Sequence, residues 1–264
     1  MTSKYIFADT HDSREFERLL LIEKVFDPAS HRRILATGVT TGWRCLEVGA
    51  GAGSIVHWLA EVVGESGKVV AVDLDTRLIA NIKSNVEVIE ADIRHILLEN
   101  HSFDLIHARC VLIHIPDFQV ALSKMLELLK PGGSIIVEEP DFAVAKVIAS
   151  DHEACQSVER VNKAILQMFT NKGIDYSLGV KLPAILQKLG LQQLAVENDT
   201  PISGGGSGMA KVMKMSAMQL AEKYIATGEA TYQDIENYCL FAEDPNSWAI
   251  YHAIVSVIAQ SEVK

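Results

Sequence analysis

The period of apolar positions changes near residue 44. Before it, Phe16, Leu19, Leu20 and residues 23–26 keep helical spacing, and Pro28 opens a second helical run that ends near Gly38. From there on, strand-like runs at Arg44–Val48, Lys68–Asp73, Val86–Glu90, 103–108 and 134–139 alternate with helix-like runs at Ser54–Val63, 75–84, a short 93–98, and 117–129. Gly64 and Gly67 close one helical run, and Lys130-Pro131-Gly132-Gly133 closes another with stop and turn chemistry together. Strands that alternate with helices predict an α/β fold, a mostly parallel sheet covered on both faces and joined by right-handed crossovers.

Beyond residue 140 the pattern turns helical. Residues 141–172 read as one long helix or a helix pair, and Leu182, Ile185, Leu186 and Leu189 hold helical spacing up to Gly190. A strand at 191–200 precedes Ser203-Gly-Gly-Gly-Ser-Gly208, which reads as a linker or a lid hinge. Helices at 209–226 and 232–241 follow, and the β-branched run 250–259 reads as a last strand. The extra helices are not needed to cover the sheet, so they are expected over the carboxyl ends of its strands, where open α/β sheets bind ligands. One domain, 1–264, accommodates this: an N-terminal helical cap (1–40), a core (41–140), substrate-side helices with a sixth strand (141–249) and a final strand (250–264).

A hydrophobic share of 48% over 264 residues indicates a globular chain. The net charge of −10, with Lys and Arg scattered, argues against nucleic acid as a partner. Cys45, Cys110, Cys155 and Cys239 form no C-x-x-C or zinc spacing, so no metal site is expected and the thiols suit a reducing cytoplasm. No leader-like start and no run of membrane-span length is seen, so no membrane insertion is expected.

The chemistry concentrates at the ends of the strand-like runs. Residues 45–54 read Cys-Leu-Glu-Val-Gly-Ala-Gly-Ala-Gly-Ser, with Glu47 inside the first strand and Gly49, Gly51 and Gly53 at alternate positions before a helix. Ser54 stands where a dinucleotide fingerprint needs its last glycine, so the spacing is G-x-G-x-G rather than G-x-G-x-x-G and disfavours a nicotinamide cofactor. Asp73 ends the second strand, where a carboxylate can accept from both ribose hydroxyls. Ala91-Asp92-Ile93 follows the third and suits an adenine ring; His107-Ala108-Arg109 follows the fourth.

Together with 103–109, 111–117 (Val-Leu-Ile-His-Ile-Pro-Asp) and 129–133 (Leu-Lys-Pro-Gly-Gly), these residues resemble the class I S-adenosylmethionine-dependent methyltransferases. The likeness covers roughly 42–140 and is to the small-molecule branch, with its ubiquinone/menaquinone-type and secondary-metabolism enzymes. It implies a Rossmann-like seven-stranded sheet with an antiparallel last strand. It also implies residue roles. Gly49, Gly51 and Gly53 would let the backbone approach the methionine part of the cofactor, with Ala50 and Ser54 among the cofactor-binding residues and Glu47 near its ammonium group. Asp73 would hold the ribose and Leu74 would lie against the adenine. Asp92 would accept from the adenine amino group, with the Ile93 N–H as donor. The Ala108 carbonyl would face the ammonium end. Arg109 would meet the cofactor carboxylate or, equally, a structural carboxylate such as Glu138 or Asp141.

Methyl transfer asks the protein for alignment, a dry cavity and, for some acceptors, a base. His114 is the leading base, with Glu139 and Asp141 behind it, and Tyr5 is a possible cap over the cofactor. The Met209, Met213, Met215, Met218 stretch suits either a substrate pocket or plain core packing. No N/D-P-P-Y/F motif follows the fourth strand, which disfavours DNA amines as acceptors. A small, partly hydrophobic acceptor fits best, handled by a monomer or homodimer. The competing reading is a protein of this fold that binds S-adenosylmethionine without methyl transfer, cyclase-like or regulatory.

Overall fold

The computed structural model describes residues 13–149 and 152–263; Tyr5 lies outside them. In chain order the elements are α1 (Ser13–Ala36), β1 (Arg44–Val48), α2 (Ser54–Val63), β2 (Lys68–Asp73), β3 (Val86–Glu90), β4 (Phe103–Arg109), α3 (Phe118–Leu128), β5 (Leu129–Asp141) and β6 (Lys146–Ala149). Then come α4 (His152–Asn171), α5 (Leu178–Lys188), β7 (Gln192–Asp199), β8 (Ser203–Gly204), α6 (Gly208–Gln219), α7 (Ala221–Ile225), α8 (Tyr232–Glu243), β9 (Trp248–Ile250) and β10 (Ala253–Gln260). No described helix is long and apolar enough to cross a membrane. The chain forms two units: one takes the chain up to Val25, Pro140–Leu178 and Asn198–Ile254, the other Phe26–Glu139, Gly179–Glu197 and Val255 onward.

The second unit is built on a seven-stranded sheet of order β3-β2-β1-β4-β5-β10-β7. The first five strands pair in parallel. Ser256 reaches Glu138 while the later Ser261 reaches Gly133, so β10 runs antiparallel to β5. This is the expected Rossmann-like sheet with its reversed last strand. Strands β1, β2, β4, β5 and β10 are largely buried apolar runs, as in a sheet covered on both faces, whereas the edge strands β3 and β7 are half-buried to exposed. On the face carrying Cys45, Val69, Ala71, Leu105 and Ile136, side chains of α2 (Ile55, Val56, Leu59, Val63) and Ile34 of α1 complete one core. The strand order reverses between β1 and β4, each followed by a crossover in the opposite direction. In open α/β sheets the crevice at that reversal is where ligands bind.

The other unit carries a small antiparallel sheet, β6-β9-β8, and pairs α4 and α6 with α8. Met209 and Met213 are in its core, whereas Met218 is exposed. The Ser203–Gly208 stretch is not a loose linker. It forms β8 and a turn whose Gly205 N–H donates to Ser247 O and Gly206 N–H to Ala242 O. A Cβ on Gly205 would stand 2.0 Å from the Asp244 carbonyl oxygen, so only glycine fits there.

Other expectations need correction. Pro28 lies inside α1 rather than starting a new helix. The carbonyl its missing N–H leaves free, that of Lys24, sits on an exposed side where solvent can satisfy it. No helix forms over 75–84. Asp75 closes a single turn by accepting from Arg77 N–H, and Asn81 then adopts φ +54°, which ends it. The 141–172 helix begins only at His152, because Asp141 caps a short turn at Ala143 and Lys146, Val147 and Ala149 then pair with β9. The helix at 209–226 divides at Leu220 into α6 and α7. The strand at 250–259 divides at Tyr251-His252, leaving Ile250 in the small sheet. The Lys130-Pro-Gly-Gly133 turn is an excursion within β5: partners on β4 advance from Phe103 to Leu105 while those on β5 advance from Leu129 to Ser134.

The β1–α2 turn is the tightest point near the crevice. Gly49 has φ +72°, and a Cβ on it would stand 2.2 Å from Val111 Cγ2. Gly49→Ala is expected to destabilise the chain by at least about 1–2 kcal/mol from the left-handed backbone alone. Adding Val111→Ala should recover the steric part. Urea unfolding of the single and double variants checks this.

Candidate functional site

Gly49, Gly51 and Gly53 all adopt left-handed backbone, with φ of +72°, +56° and +97°. The turn runs from the buried end of β1 into the first turn of α2, and Gly53 is the α2 N-cap with no side-chain cap. Gly49 N–H is spent on the Val72 carbonyl of β2 at 2.8 Å. Gly51 N–H donates to Asp73 Oδ2 at 2.9 Å, and Asp75 N–H donates to Oδ1 at 3.0 Å. Burial pushes the Asp73 pKa up, and these backbone donors oppose it. Each carboxylate oxygen accepts at about two positions, so the half-buried Asp73 keeps acceptor capacity. Leu74, the next residue, is an apolar side chain left 55% exposed on the rim of the same turn.

Behind the turn lies a line of buried charge. Glu47 on β1 and His107 on β4 stand opposite each other in register. Ile136 on β5 is opposite His107, and Glu138 follows two residues on, hence on the same face. Glu47 Oε2 lies 2.7 Å from His107 Nδ1, and Glu138 Oε1 lies 3.1 Å from Nε2. Glu138 Oε2 accepts from Arg33 at 2.7 Å and from Ser256 at 3.2 Å. Arg33 also donates to Glu197 Oε2 at 3.0 Å, and Arg32 binds both oxygens of Glu197. Burial alone would lower the His107 pKa, but the two carboxylates outweigh it and raise it to about 9. Burial likewise works against Glu138, yet His107 and Arg33 hold it down near about 2. Burial pushes the Glu47 pKa up against the pull of His107.

The remaining expected residues lie around this line. Arg109 donates to Asp27 Oδ1 at 2.9 Å and to Ser30 Oγ at 3.0 Å, so its structural carboxylate is Asp27 of α1 rather than Glu138 or Asp141. Ser54 Oγ donates to the same Asp27 oxygen at 3.1 Å. Asp92 is gripped by Arg94, from its backbone N–H and from the guanidinium at 2.5 Å, which lowers the Asp92 pKa. Arg94 also reaches Asp117 at 2.5 Å. Ile93 and Ala108 are buried beside these groups in the chain. His114 ends a short 3-10 turn, Leu112–His114, just after β4. Glu139 accepts from the N–H groups of Val111, Leu112 and Ile113 at 3.0, 2.7 and 3.1 Å. Burial nevertheless raises its pKa to about 7. Its carboxylate therefore holds the loop bearing His114. Asp141 caps Ala143.

Asp27, Ser30, Arg33, Arg94 and the charged state of His107 were not singled out from the sequence. Asp27, Ser30 and Arg33 recur three residues apart, the spacing of one helix face. That spacing was the available signal.

A family profile described as a methyltransferase domain matches residues 40–196. The chain belongs to the methyltransferase-domain family. Among curated relatives, the ubiquinone/menaquinone biosynthesis C-methyltransferase UbiE of Cellvibrio japonicus is 30% identical over 115 residues, 40% of this chain and 46% of that protein. The chain spans about half the length of the first curated relatives it matches. Among solved structures, phosphoethanolamine N-methyltransferase 2 of Haemonchus contortus, in complex with phosphomonomethylethanolamine and S-adenosylhomocysteine, superposes with a TM-score of 0.60 at 18% identity, over 92% of this chain and 57% of that one. The [4+2]-cyclase SpnF superposes with a TM-score of 0.56 at 16% identity, over 92% and 81%. Likeness at these identities establishes the fold.

Two outcomes follow from the buried charges. His107 is raised above its ordinary 6.5 to about 9, so its stabilisation is complete below about pH 6.5 and is lost as pH rises through about 9. Glu139, raised from 4.5 to about 7, acts with the same sign at lower pH. The urea midpoint at about pH 6 is therefore expected to exceed that at about pH 9.5; an equal or higher midpoint at the alkaline pH contradicts it. Arg33→Met, which deprives the buried Glu138 of a cation, should cost about 3–5 kcal/mol in the same measurement.

Proposed function

We propose that this chain transfers a methyl group from S-adenosylmethionine to a small, partly hydrophobic acceptor. The observation that carries the reading is the join of the left-handed glycine turn to Asp73 at the strand-order reversal, inside the segment matched by the methyltransferase family. The site fits the cofactor: a Cβ would fill the turn at Gly49, and Asp73 is a tethered carboxylate with acceptor capacity left.

In this reading Gly49, Ala50, Gly51, Gly53 and Ser54 take the methionine part, and Glu47 meets its ammonium group. Asp73 accepts from the ribose hydroxyls, and the exposed Leu74 covers one adenine face. Asp92, oriented by Arg94, and the Ile93 N–H meet the adenine edge. The Ala108 carbonyl faces the ammonium end. Arg109, already fixed by Asp27 and Ser30, has further N–H donors for the cofactor carboxylate. The bound cofactor supplies a methyl group already activated on a sulfonium. The protein's part is to align the acceptor and exclude water, and His114, on a loop fixed by Glu139, removes a proton from acceptors that carry one. Four cysteines with no C-x-x-C or zinc spacing favour a reducing, cytoplasmic setting. Curated relatives named for ubiquinone and menaquinone biosynthesis favour an apolar, ring-bearing acceptor.

Asp73→Ala is expected to weaken S-adenosylhomocysteine binding by about 1–3 kcal/mol, the scale of a charge-assisted hydrogen bond. Unchanged affinity removes Asp73 from the site. His114→Ala should lower turnover with a quinol-type acceptor, read as S-adenosylhomocysteine release, more than it lowers cofactor affinity. Equal losses make His114 structural. Cofactor binding with no release across such acceptors points to the non-transferring reading.

A further inference from the structure

We propose that His107 is a positioning residue: clamped between Glu47 and Glu138, it aims the Glu47 carboxylate at the ammonium group of the bound cofactor. This rests on the cofactor reading above and adds to it the group that sets its acidic residue.

Both ring nitrogens of His107 face carboxylate oxygens, Glu47 Oε2 at 2.7 Å and Glu138 Oε1 at 3.1 Å. A neutral imidazole has one donor and one lone pair, and the lone pair would then oppose an anion. With both carboxylates ionised, the arrangement is satisfied only by the imidazolium, which donates at both ends. The ring is fully buried and cannot swing. The far clamp is itself fixed, because Glu138 Oε2 is held by Arg33 from α1 and by Ser256 from β10. Fixed at Glu138, the ring fixes Glu47.

Glu47 is the open end of this line. Its Oε2 takes His107, while no described residue donates to Oε1, and the side chain keeps 4% of its exposure. Two residues on, just past the end of β1, is Gly49, the first left-handed glycine of the turn. A buried carboxylate with one oxygen committed and the other available suits a single ammonium group with defined direction. Without His107 the same carboxylate would be buried with no cation and would take up a proton, losing the charge that attracts the ligand.

Two nucleosides separate this role from a purely structural one. S-adenosylhomocysteine carries the ammonium-bearing tail, and 5′-methylthioadenosine has the same nucleoside without it. In calorimetric titrations, His107→Gln is expected to weaken the first by about tenfold or more, the loss of a charge-assisted contact, and to leave the second within about twofold. Glu47→Gln should show the same pattern, and the double variant should be no weaker than Glu47→Gln alone. Equal weakening of both nucleosides, or additive losses in the double variant, overturns the proposal. Binding of 5′-methylthioadenosine also reports that a variant is folded. If His107→Gln fails that check, Glu138→Gln keeps the Glu47 contact and loosens the clamp. It should then weaken S-adenosylhomocysteine alone; an equal effect on both ligands, or none, overturns the proposal. A native chain that binds neither nucleoside defeats the proposed function and this inference together, whereas a native chain that binds both, with variants that do not discriminate, defeats this inference only.

Discussion

An ionised carboxylate buried inside a sheet must meet a cation, because its desolvation otherwise drives it to take up a proton. Glu47 sits on β1, inside the sheet, under that constraint, and the chain answers it with alternating charge. His107 on β4, Glu138 on β5, Arg33 on α1, Glu197 on β7 and Arg32 follow one another outward, each within hydrogen-bonding reach of the next. Replacing such a line by apolar side chains of equal volume is often neutral or stabilising, so its presence is weak evidence for stability as such. Its yield is geometric: β1, β4, β5, β7 and α1 are locked in one register around the open end of Glu47.

The glycine turn converts that register into a surface a ligand can approach. Three left-handed residues in five bring backbone rather than side chains to the crevice, and Val111, on the loop after β4, packs so close to Gly49 that no Cβ fits between them. Glu139 secures that loop through three backbone N–H groups. The turn after β1 and the loop after β4 therefore depend on each other across the point where strand order reverses. Close backbone approach and buried charge thus meet at the same crevice.

What could be read from the sequence divides along the same lines. Strands whose ends are set by buried apolar runs and hard stops were read to the residue, as with Arg44–Val48 and Lys68–Asp73, and so was helix Ser54–Val63. The glycine spacing and Asp73 were legible because each demands a particular residue type. Segments decided by tertiary pairing were not. Lys146–Ala149 becomes a strand only because Trp248–Ile250 arrives to pair with it, and the 75–84 segment carries helical spacing yet stops after one turn at Asn81. Pro28 misled because a proline tolerated on an exposed helix side looks in sequence like a helix start. Asp27, Ser30 and Arg33 were hidden for a different reason: their partners, Arg109 and Glu138, are far along the chain.

Membership of the methyltransferase-domain family and the Rossmann-like sheet narrow the chemistry, but superposition on both an N-methyltransferase and a cyclase shows that the fold leaves the reaction open. The glycine spacing selects S-adenosylmethionine over a nicotinamide dinucleotide as the cofactor. Calorimetric titration of the native chain with S-adenosylhomocysteine and, separately, with NAD distinguishes the two. The expected result is saturable binding of S-adenosylhomocysteine at one site and no heat from NAD; saturable binding of NAD with none of S-adenosylhomocysteine would contradict it.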